Sequence, residues 1–261
     1  MNIKIKCFRK GKKNSYTLDF VGNYESIVLY DEIILKNNLL IKKEVDSELL
    51  RKLILENASI ECYYKALNYL NFKRRSKKEV ENYLGKSGFI KKDILLSLER
   101  LEKEGFINDK QYLESFINDQ VHLNNHGPLK IIQKLKLLGF EEKEIKDYLE
   151  TFPSSVWKEK IASIVNKKIK SNRHLGSVKL KEKVMFSLLS EGFRKEEVLA
   201  VLDNSTFSSS QEILKKELEK YYIKLSRKYD GTALQYQLKM KLLSRGFEIE
   251  ALNEVLEEFF S

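Results

Sequence analysis

Cysteine and proline are both rare in this chain of 261 residues, which contains two of each. Two thiols form one disulfide at most, which excludes a disulfide framework and a four-cysteine metal site. No uncharged apolar run approaches the ~18 residues that a membrane span requires. The first residues are charged where a signal peptide is apolar. We therefore expect a cytoplasmic protein that folds in water and has no membrane partner.

Motifs for binding nucleotides or metals are also missing. The 11 glycines form neither a GxxxxGK[ST] nor a GxGxxG string, so we do not expect this chain to hydrolyse ATP. His122 and His126 have the spacing of two metal ligands on one helical face, but a third ligand is lacking. Neither cysteine is accompanied by a histidine and an acid in a recognisable order. We predict no enzymatic activity, no metal and no cofactor.

Lysine dominates the charged residues. Lysine and arginine total 48 against 38 acidic residues, and the net charge of +10 favours polyanionic partners such as nucleic acid. The excess is uneven, since 61–107 and 154–205 are basic whereas 108–153 is slightly acidic. A lysine-rich surface that is merely well solvated has the same composition, so charge alone leaves both interpretations open.

The first thirty residues alternate between apolar and polar side chains, which is the period of β-strands. Gly11 and Gly22-Asn23 separate three such runs, and these residue types tolerate the positive φ of tight turns. We predict three strands in a small antiparallel meander within a β-rich region at 1–45. A connecting helical segment is predicted at 46–65.

Beyond residue 30 the apolar spacing changes to three and four, as in helices. The dipeptide Gly-Phe recurs at intervals of 51, 53 and 54 residues, with apolar side chains at fixed offsets on both sides. The pattern predicts two amphipathic helices, the first ended by a left-handed glycine, with the phenylalanine packed between them. The dipeptides are Gly88-Phe89, Gly139-Phe140, Gly192-Phe193 and Gly246-Phe247.

Apolar residues upstream of each dipeptide are sufficient for one further helix. One three-helix unit buries little surface alone, so we expect four units that stack on their neighbours. The predicted fold class is mainly all-α, with tandem three-helix repeats in an elongated curved body after the small β meander. The chain is predicted to be monomeric. The predicted repeats are 66–107, 108–153, 157–205 and 212–259.

Polar residues at the predicted helix starts support these boundaries. Ser76 opens a capping box, in which a hydroxyl and a carboxylate bind unpaired amides of the first turn. Asp109 is predicted to cap the first helix of the second repeat, and Gly127-Pro128 to begin its middle helix. A second capping box is predicted at Ser209, within a serine-rich joint at 205–210.

Two basic clusters, at 73–78 and 167–183, lie across the junction between the first and second helices of their repeats. If the repeats share one geometry, the two clusters lie on equivalent edges of the elongated body. They would then form a discontinuous positive track that binds phosphates without reading bases. Tyrosines and Phe72 are able to stack on bases, although helical spacing favours core packing for most of them. The candidate residues for binding DNA or a filament are Lys73, Arg74, Arg75, Lys77, Lys78, Lys130, Lys134, Lys167, Lys168, Lys170, Arg173, Lys179, Lys181 and Lys183.

Three short patterns occur in the first two repeats, namely Arg75-Ser76-x-x-Glu79, Asn108-Asp109-x-x-Tyr112 and Gly127-x-x-Lys130-Ile131. With them the chain resembles the RecX family of regulators of the RecA recombinase, in its long Gram-positive form. The resemblance implies a non-enzymatic modulator, most simply an inhibitor, that binds the RecA–DNA filament and single-stranded DNA. It also implies that filament extension, ATP hydrolysis and strand exchange are limited.

Two other classes of protein remain as alternatives. Three-helix units with basic helices can resemble helix-turn-helix regulators, whose recognition helix is rich in base-reading side chains. The third helices at 91–104 and 141–150 are acidic, which argues against insertion into a major groove. A helical scaffold that binds only proteins is the other alternative.

Overall fold

The computed structural model describes residues 2–11, 14–172, 174–207 and 211–261. The chain forms two compact units, Met1–Glu114 and Ser115–Ser261. Within the described ranges it contains four strands and fourteen helices, which confirms the predicted class of tandem helical repeats after a small antiparallel sheet. None of the described helices has the length and apolar composition needed to cross a membrane.

The first unit contains the sheet and the first repeat. Its elements are β1 (Asn2–Lys10), β2 (Ser15–Phe20), β3 (Ile27–Tyr30), α1 (Asp31–Lys36), α2 (Leu39–Lys42), β4 (Glu44–Asp46), α3 (Ser47–Leu70), α4 (Lys77–Lys86) and α5 (Lys91–Lys103). The division between the units falls within α6 (Asp109–His122). The second unit continues with α7 (Pro128–Leu137), α8 (Glu142–Leu149), α9 (Ser154–Ser171), α10 (Ser177–Ser190), α11 (Lys195–Asp203), α12 (Gln211–Leu225), α13 (Gly231–Leu243) and α14 (Ile249–Phe260).

The sheet has one strand more than the sequence predicts. Its order is β3-β2-β1-β4 and all its pairs are antiparallel. Asn14 (φ 60°) and Gly22 (φ 100°) have the left-handed conformation at the two predicted turns. The three predicted strands are present, and β4 was missed because it is only three residues long and has a single buried side chain, Val45. So short a segment shows no alternation to recognise.

Helix α3 passes through the predicted boundary between 65 and 66 without interruption. Leu53, in its first half, belongs to the core beneath the sheet, whereas Cys62 and Ala66 belong to the core of the first repeat. The Arg100 guanidinium of α5 also binds the Glu32 carboxylate of α1 at 2.9 and 3.1 Å. One long helix and one bidentate ion pair therefore tie the sheet to the first repeat.

The Gly-Phe dipeptides form the turn between the second and third helices of each repeat. Their glycines, at 88, 139, 192 and 246, have φ between 83° and 93°, in the left-handed region. Phe140, Phe193 and Phe247 are buried, and Phe89 is half-buried. Glycine lowers the cost of this conformation because it has no Cβ to meet the following carbonyl oxygen.

Helix caps agree with the predictions at Ser76 but differ at Asp109. Ser76 Oγ accepts a hydrogen bond from the Glu79 amide, and the Ser76 amide donates to the Glu79 carboxylate. The predicted cap at Asp109 was wrong, because Asn108 Oδ1 accepts the Gln111 amide at 2.9 Å. Asp109 instead accepts the first amide of α4 at 2.8 Å. The capping box predicted at Ser209 is not tested, because residues 208–210 lie outside the described residues.

Backbone hydrogen bonds join successive repeats in the second unit. The Gly127 amide donates to the Glu191 carbonyl at 2.8 Å, and the Leu129 amide donates to the Gly192 carbonyl at 3.0 Å. The start of α7, whose amides lack partners within the helix, thereby binds the C-terminal end of α10, where the helix dipole is negative. Equivalent bonds join α10 to the end of α13, from Gly176 to Arg245 and from Val178 to Gly246.

Candidate nucleic-acid interface

The loop between α3 and α4 presents an aromatic ring beside two cations. The Phe72 side chain is 86% exposed. Lys73 and Arg74, the next two residues, are exposed, and their side chains form no hydrogen bond or ion pair with the described residues. Exposed cations bind phosphate oxygens and an exposed ring stacks on bases, which is the composition of surfaces that bind single strands.

Arg75 is placed differently from its two neighbours in the same cluster. Its guanidinium carbon lies 3.7 Å from the centre of the Tyr69 ring, and its Nη1 lies 3.7 Å from Glu79 Oε1. Tyr69 in turn stacks on Tyr83 with ring centres 3.8 Å apart. Only 15% of the Arg75 side chain is exposed. Arg75 therefore holds the loop against α4, and its predicted DNA contact stays a prediction.

Lys77 and Lys78 complete the first cluster. Lys77 Nζ lies 2.8 Å from Glu102, and Lys78 Nζ lies 2.9 Å from Glu81. These pairs are partly exposed to solvent, where an ion pair contributes about 0–1 kcal/mol. A phosphate therefore competes readily with either carboxylate for these two ammonium groups.

The structure places Lys130 and Lys134 in the joint between the second and third repeats. Lys130 Nζ donates to Glu191 Oε2 at 2.8 Å, and this bond is the main reason why the pKa of Glu191 is lowered. Lys134 Nζ lies 3.2 Å from His126 Nδ1. Burial, followed by the charges of Lys134 and Lys130, lowers the pKa of His126. Both lysines are half-buried and engaged, so their predicted DNA contact would require them to leave these partners.

A further lysine of this joint was not among the predicted residues. Lys160 Nζ, on α9, donates to the carbonyl oxygens of Gln120, Val121 and His126 at 2.8, 2.9 and 3.3 Å. Its burial lowers its pKa to about 8. The three carbonyls lie at and just beyond the C-terminal end of α6, where a cation is favoured by the helix dipole. Lys160 is a structural cap of that helix.

The basic cluster of the third repeat divides into engaged and unpaired lysines. Lys179 Nζ donates to the Ser244 carbonyl at 2.8 Å, and Lys181 Nζ lies 3.0 Å from Asp203. Arg173 lies outside the described residues. The remaining predicted lysines of this cluster form no side-chain hydrogen bond or ion pair in the part of the chain that the structure describes, and these are Lys167, Lys168, Lys170 and Lys183.

The fourth repeat contains a basic loop that was not predicted from the sequence. Arg227 and Lys228 lie between α12 and α13, the position that Lys73 and Arg74 occupy in the first repeat, and both are exposed. Tyr229 beside them is 39% exposed. The signal that could have found them is the repeat itself, since aligning the four loops puts basic pairs next to an aromatic residue in the first and fourth.

Taken together, these features define a tandem three-helix-repeat protein whose interhelical loops present cations that have no partner among the described residues. The chain is 32% identical over 254 residues to the regulatory protein RecX of Streptococcus agalactiae, covering 95% of this chain and 96% of that protein. It is 29% identical over 259 residues to the regulatory protein RecX of Staphylococcus epidermidis, covering 96% of this chain and 94% of that one. The chain belongs to the RecX family, which confirms the resemblance seen in its sequence.

Solved structures agree with this assignment at the level of the fold. A crystal structure of regulatory protein RecX aligns with a TM-score of 0.64 and 21% identity, covering 77% of this chain and 99% of the other. A crystal structure of RecX from Lactobacillus salivarius aligns with a TM-score of 0.53 and 26% identity, covering 57% of this chain and 97% of the other. No protein-family model matches the chain.

Proposed function

We propose that this protein is a non-catalytic regulator of the RecA recombinase that binds the RecA–DNA filament and single-stranded DNA. By occupying the filament it limits filament extension, ATP hydrolysis and strand exchange. The observation that carries the DNA part of the proposal is the α3–α4 loop, where Phe72 is 86% exposed beside the unpaired cations Lys73 and Arg74. Membership of a family of regulatory proteins supports the rest.

The first experiment measures DNA binding by the chain alone. We expect a labelled single-stranded oligonucleotide to bind with little sequence preference and with an affinity that falls steeply as salt rises. The double variant Lys73→Glu/Arg74→Glu removes two phosphate contacts, so the slope of log affinity against log salt should decrease by about 1.4. The matched control is Lys91→Glu/Lys92→Glu, which makes the same charge change on exposed residues at the start of α5.

Three outcomes would contradict the proposed DNA contact. The first is binding that does not depend on salt, and the second is an equal loss of affinity for the loop variant and its control. The third is a strongly preferred duplex site, which would favour the helix-turn-helix alternative. Circular dichroism should remain helical in both variants, since neither pair of side chains is engaged in the fold.

The second experiment measures the effect on RecA. Sub-stoichiometric amounts of the chain should reduce DNA-dependent ATP hydrolysis by RecA, while the chain without RecA should release no phosphate from ATP. Sub-stoichiometric amounts are sufficient because one bound regulator stops the extension of a filament that contains many RecA subunits. Unchanged hydrolysis at an excess of the chain would refute the proposed regulation of RecA, whatever the outcome of the DNA titration.

A further inference from the structure

A cavity of about 420 Å³ lies in the second unit, between α7, α8, α9 and the start of α11. Trp157 and Phe152 form its aromatic wall, with ring centres 6.4 Å apart. Ile132 and Leu149 add aliphatic surface. The volume is within the range of about 300–1,000 Å³ that is typical of ligand pockets. The cavity is therefore large enough for a side chain or a small ligand.

Two carboxylates line the same cavity. Glu197 Oε2 is buried, and no group in the described part of the chain donates a hydrogen bond to it. Glu150 is exposed and forms no ion pair with the described residues. A buried acceptor without a donor destabilises the fold, and it does so more strongly when it is charged. A ligand that brings donors to Glu197 would recover this free energy.

The two cations that line the cavity do not neutralise these carboxylates. Lys146 binds Glu142 on its own helix at 2.7 Å. Arg194 is exposed at the N-terminal end of α11 and, within the described residues, forms no ion pair with Glu197. The cavity thus contains two unpaired carboxylates and one unpaired cation beside an aromatic wall, an arrangement that attracts a cation more strongly than an anion.

We propose that this cavity binds an arginine side chain of a protein partner. The guanidinium group donates hydrogen bonds to the carboxylates and packs against Phe152 and the small part of Trp157 that faces the cavity. Its aliphatic stem packs against Ile132 and Leu149. The site goes beyond the proposed function, because it requires neither DNA nor ATP and uses none of the basic loop residues.

Trp157 makes the test direct, because it is the single tryptophan of the chain. We expect the tripeptide acetyl-Ala-Arg-Ala-amide to change the fluorescence of the full chain with saturation at millimolar concentrations. The matched peptide with citrulline in place of arginine is nearly isosteric but uncharged, and it should bind at least tenfold more weakly. Neither DNA nor RecA is present, so the result is independent of the proposed function.

Variants of the chain test whether the Glu197 carboxylate binds the arginine side chain. Glu197→Gln should weaken binding of the arginine peptide at least tenfold without lowering the urea midpoint, whereas Glu196→Gln, at an exposed neighbouring position, should not alter the affinity. The proposal would be overturned by an absence of saturable change with the arginine peptide, or by equal binding of the citrulline peptide. Equal effects of the two glutamine variants would also overturn it. The peptide comparison uses the unaltered chain, so it decides the matter even if a variant fails to fold.

Discussion

Replacing Gly127 by alanine tests how closely the second and third repeats approach each other. Gly127 has φ of −86°, which alanine adopts without strain. An added Cβ, however, would lie 2.4 Å from the carbonyl carbon of Gly192 and from the Phe193 amide nitrogen. These are backbone atoms held by the two hydrogen bonds of the joint, so they cannot retreat freely. The variant therefore isolates the steric part of this contact.

The expected loss of unfolding free energy is similar whether the joint stays closed or opens. A closed joint is overpacked by the added Cβ, which costs about 1–3 kcal/mol. An open joint loses two backbone hydrogen bonds of about 0.5–1.5 kcal/mol each. Gly192→Ala makes the reverse clash, 2.4 Å from the Lys130 amide nitrogen, and adds about 1–2 kcal/mol for its φ of +83°. We expect losses in unfolding free energy of about 1–3 kcal/mol for Gly127→Ala and about 2–5 kcal/mol for Gly192→Ala.

Gly231→Ala is the matched control within the same unit. Its φ is +47°, but a Cβ there meets nothing within 4 Å, so the variant should lose only about 1–2 kcal/mol. Urea unfolding followed by Trp157 fluorescence reports on the second unit for all three variants. If the unfolding free energy of Gly127→Ala is within about 0.5 kcal/mol of that of the original chain, the close contact between Gly127 and Gly192 is refuted. The same conclusion follows if Gly192→Ala costs no more than Gly231→Ala.

Two further predictions concern the first unit. Burial, followed by the charge of Glu79, raises the pKa of Tyr112 to about 12. Because a tyrosine in the unfolded chain has a pKa of about 10, the folded state holds this proton more tightly. The resulting stabilisation is complete below pH ~10 and is lost as the pH rises towards ~12. Tyr112→Phe should reduce the pH dependence of the urea midpoint in that window, and an unchanged dependence would contradict the burial of the hydroxyl. Arg75→Ala should lose about 1–2 kcal/mol of stability with its contact to Tyr69, whereas Arg74→Ala should lose almost none. Equal losses in thermal unfolding followed by circular dichroism would show that Arg75 is an ordinary surface cation.

Much of the fold was predictable because it depends on local spacing. The change from a two-residue to a three-and-four-residue apolar period distinguishes strands from helices within a few residues. The short strand β4 was missed because local spacing does not define it: its three residues pair with β1, 40 to 44 positions earlier in the chain. The cap at Asp109 was assigned to the wrong helix because its partner, the Lys77 amide, lies 32 residues away in sequence.

The candidate site was predictable as a set of basic residues but not as a set of available ones. Lys73 and Lys130 are the same residue type, and both lie near the start of a second helix. Lys73 has no partner among the described residues, whereas Lys130 binds Glu191, 61 residues further along the chain. Residue type and sequence position do not distinguish these cases, because a distant carboxylate decides which ammonium group is free.

By itself, then, the sequence determined the helical repeats and their Gly-Phe turns, since apolar spacing and the φ preference of glycine are properties of short segments. Tertiary structure alone decided how the repeats join, which cations are engaged and where a cavity forms beside Trp157. These features arise where side chains far apart in sequence meet, and the free energy of each contact depends on both partners.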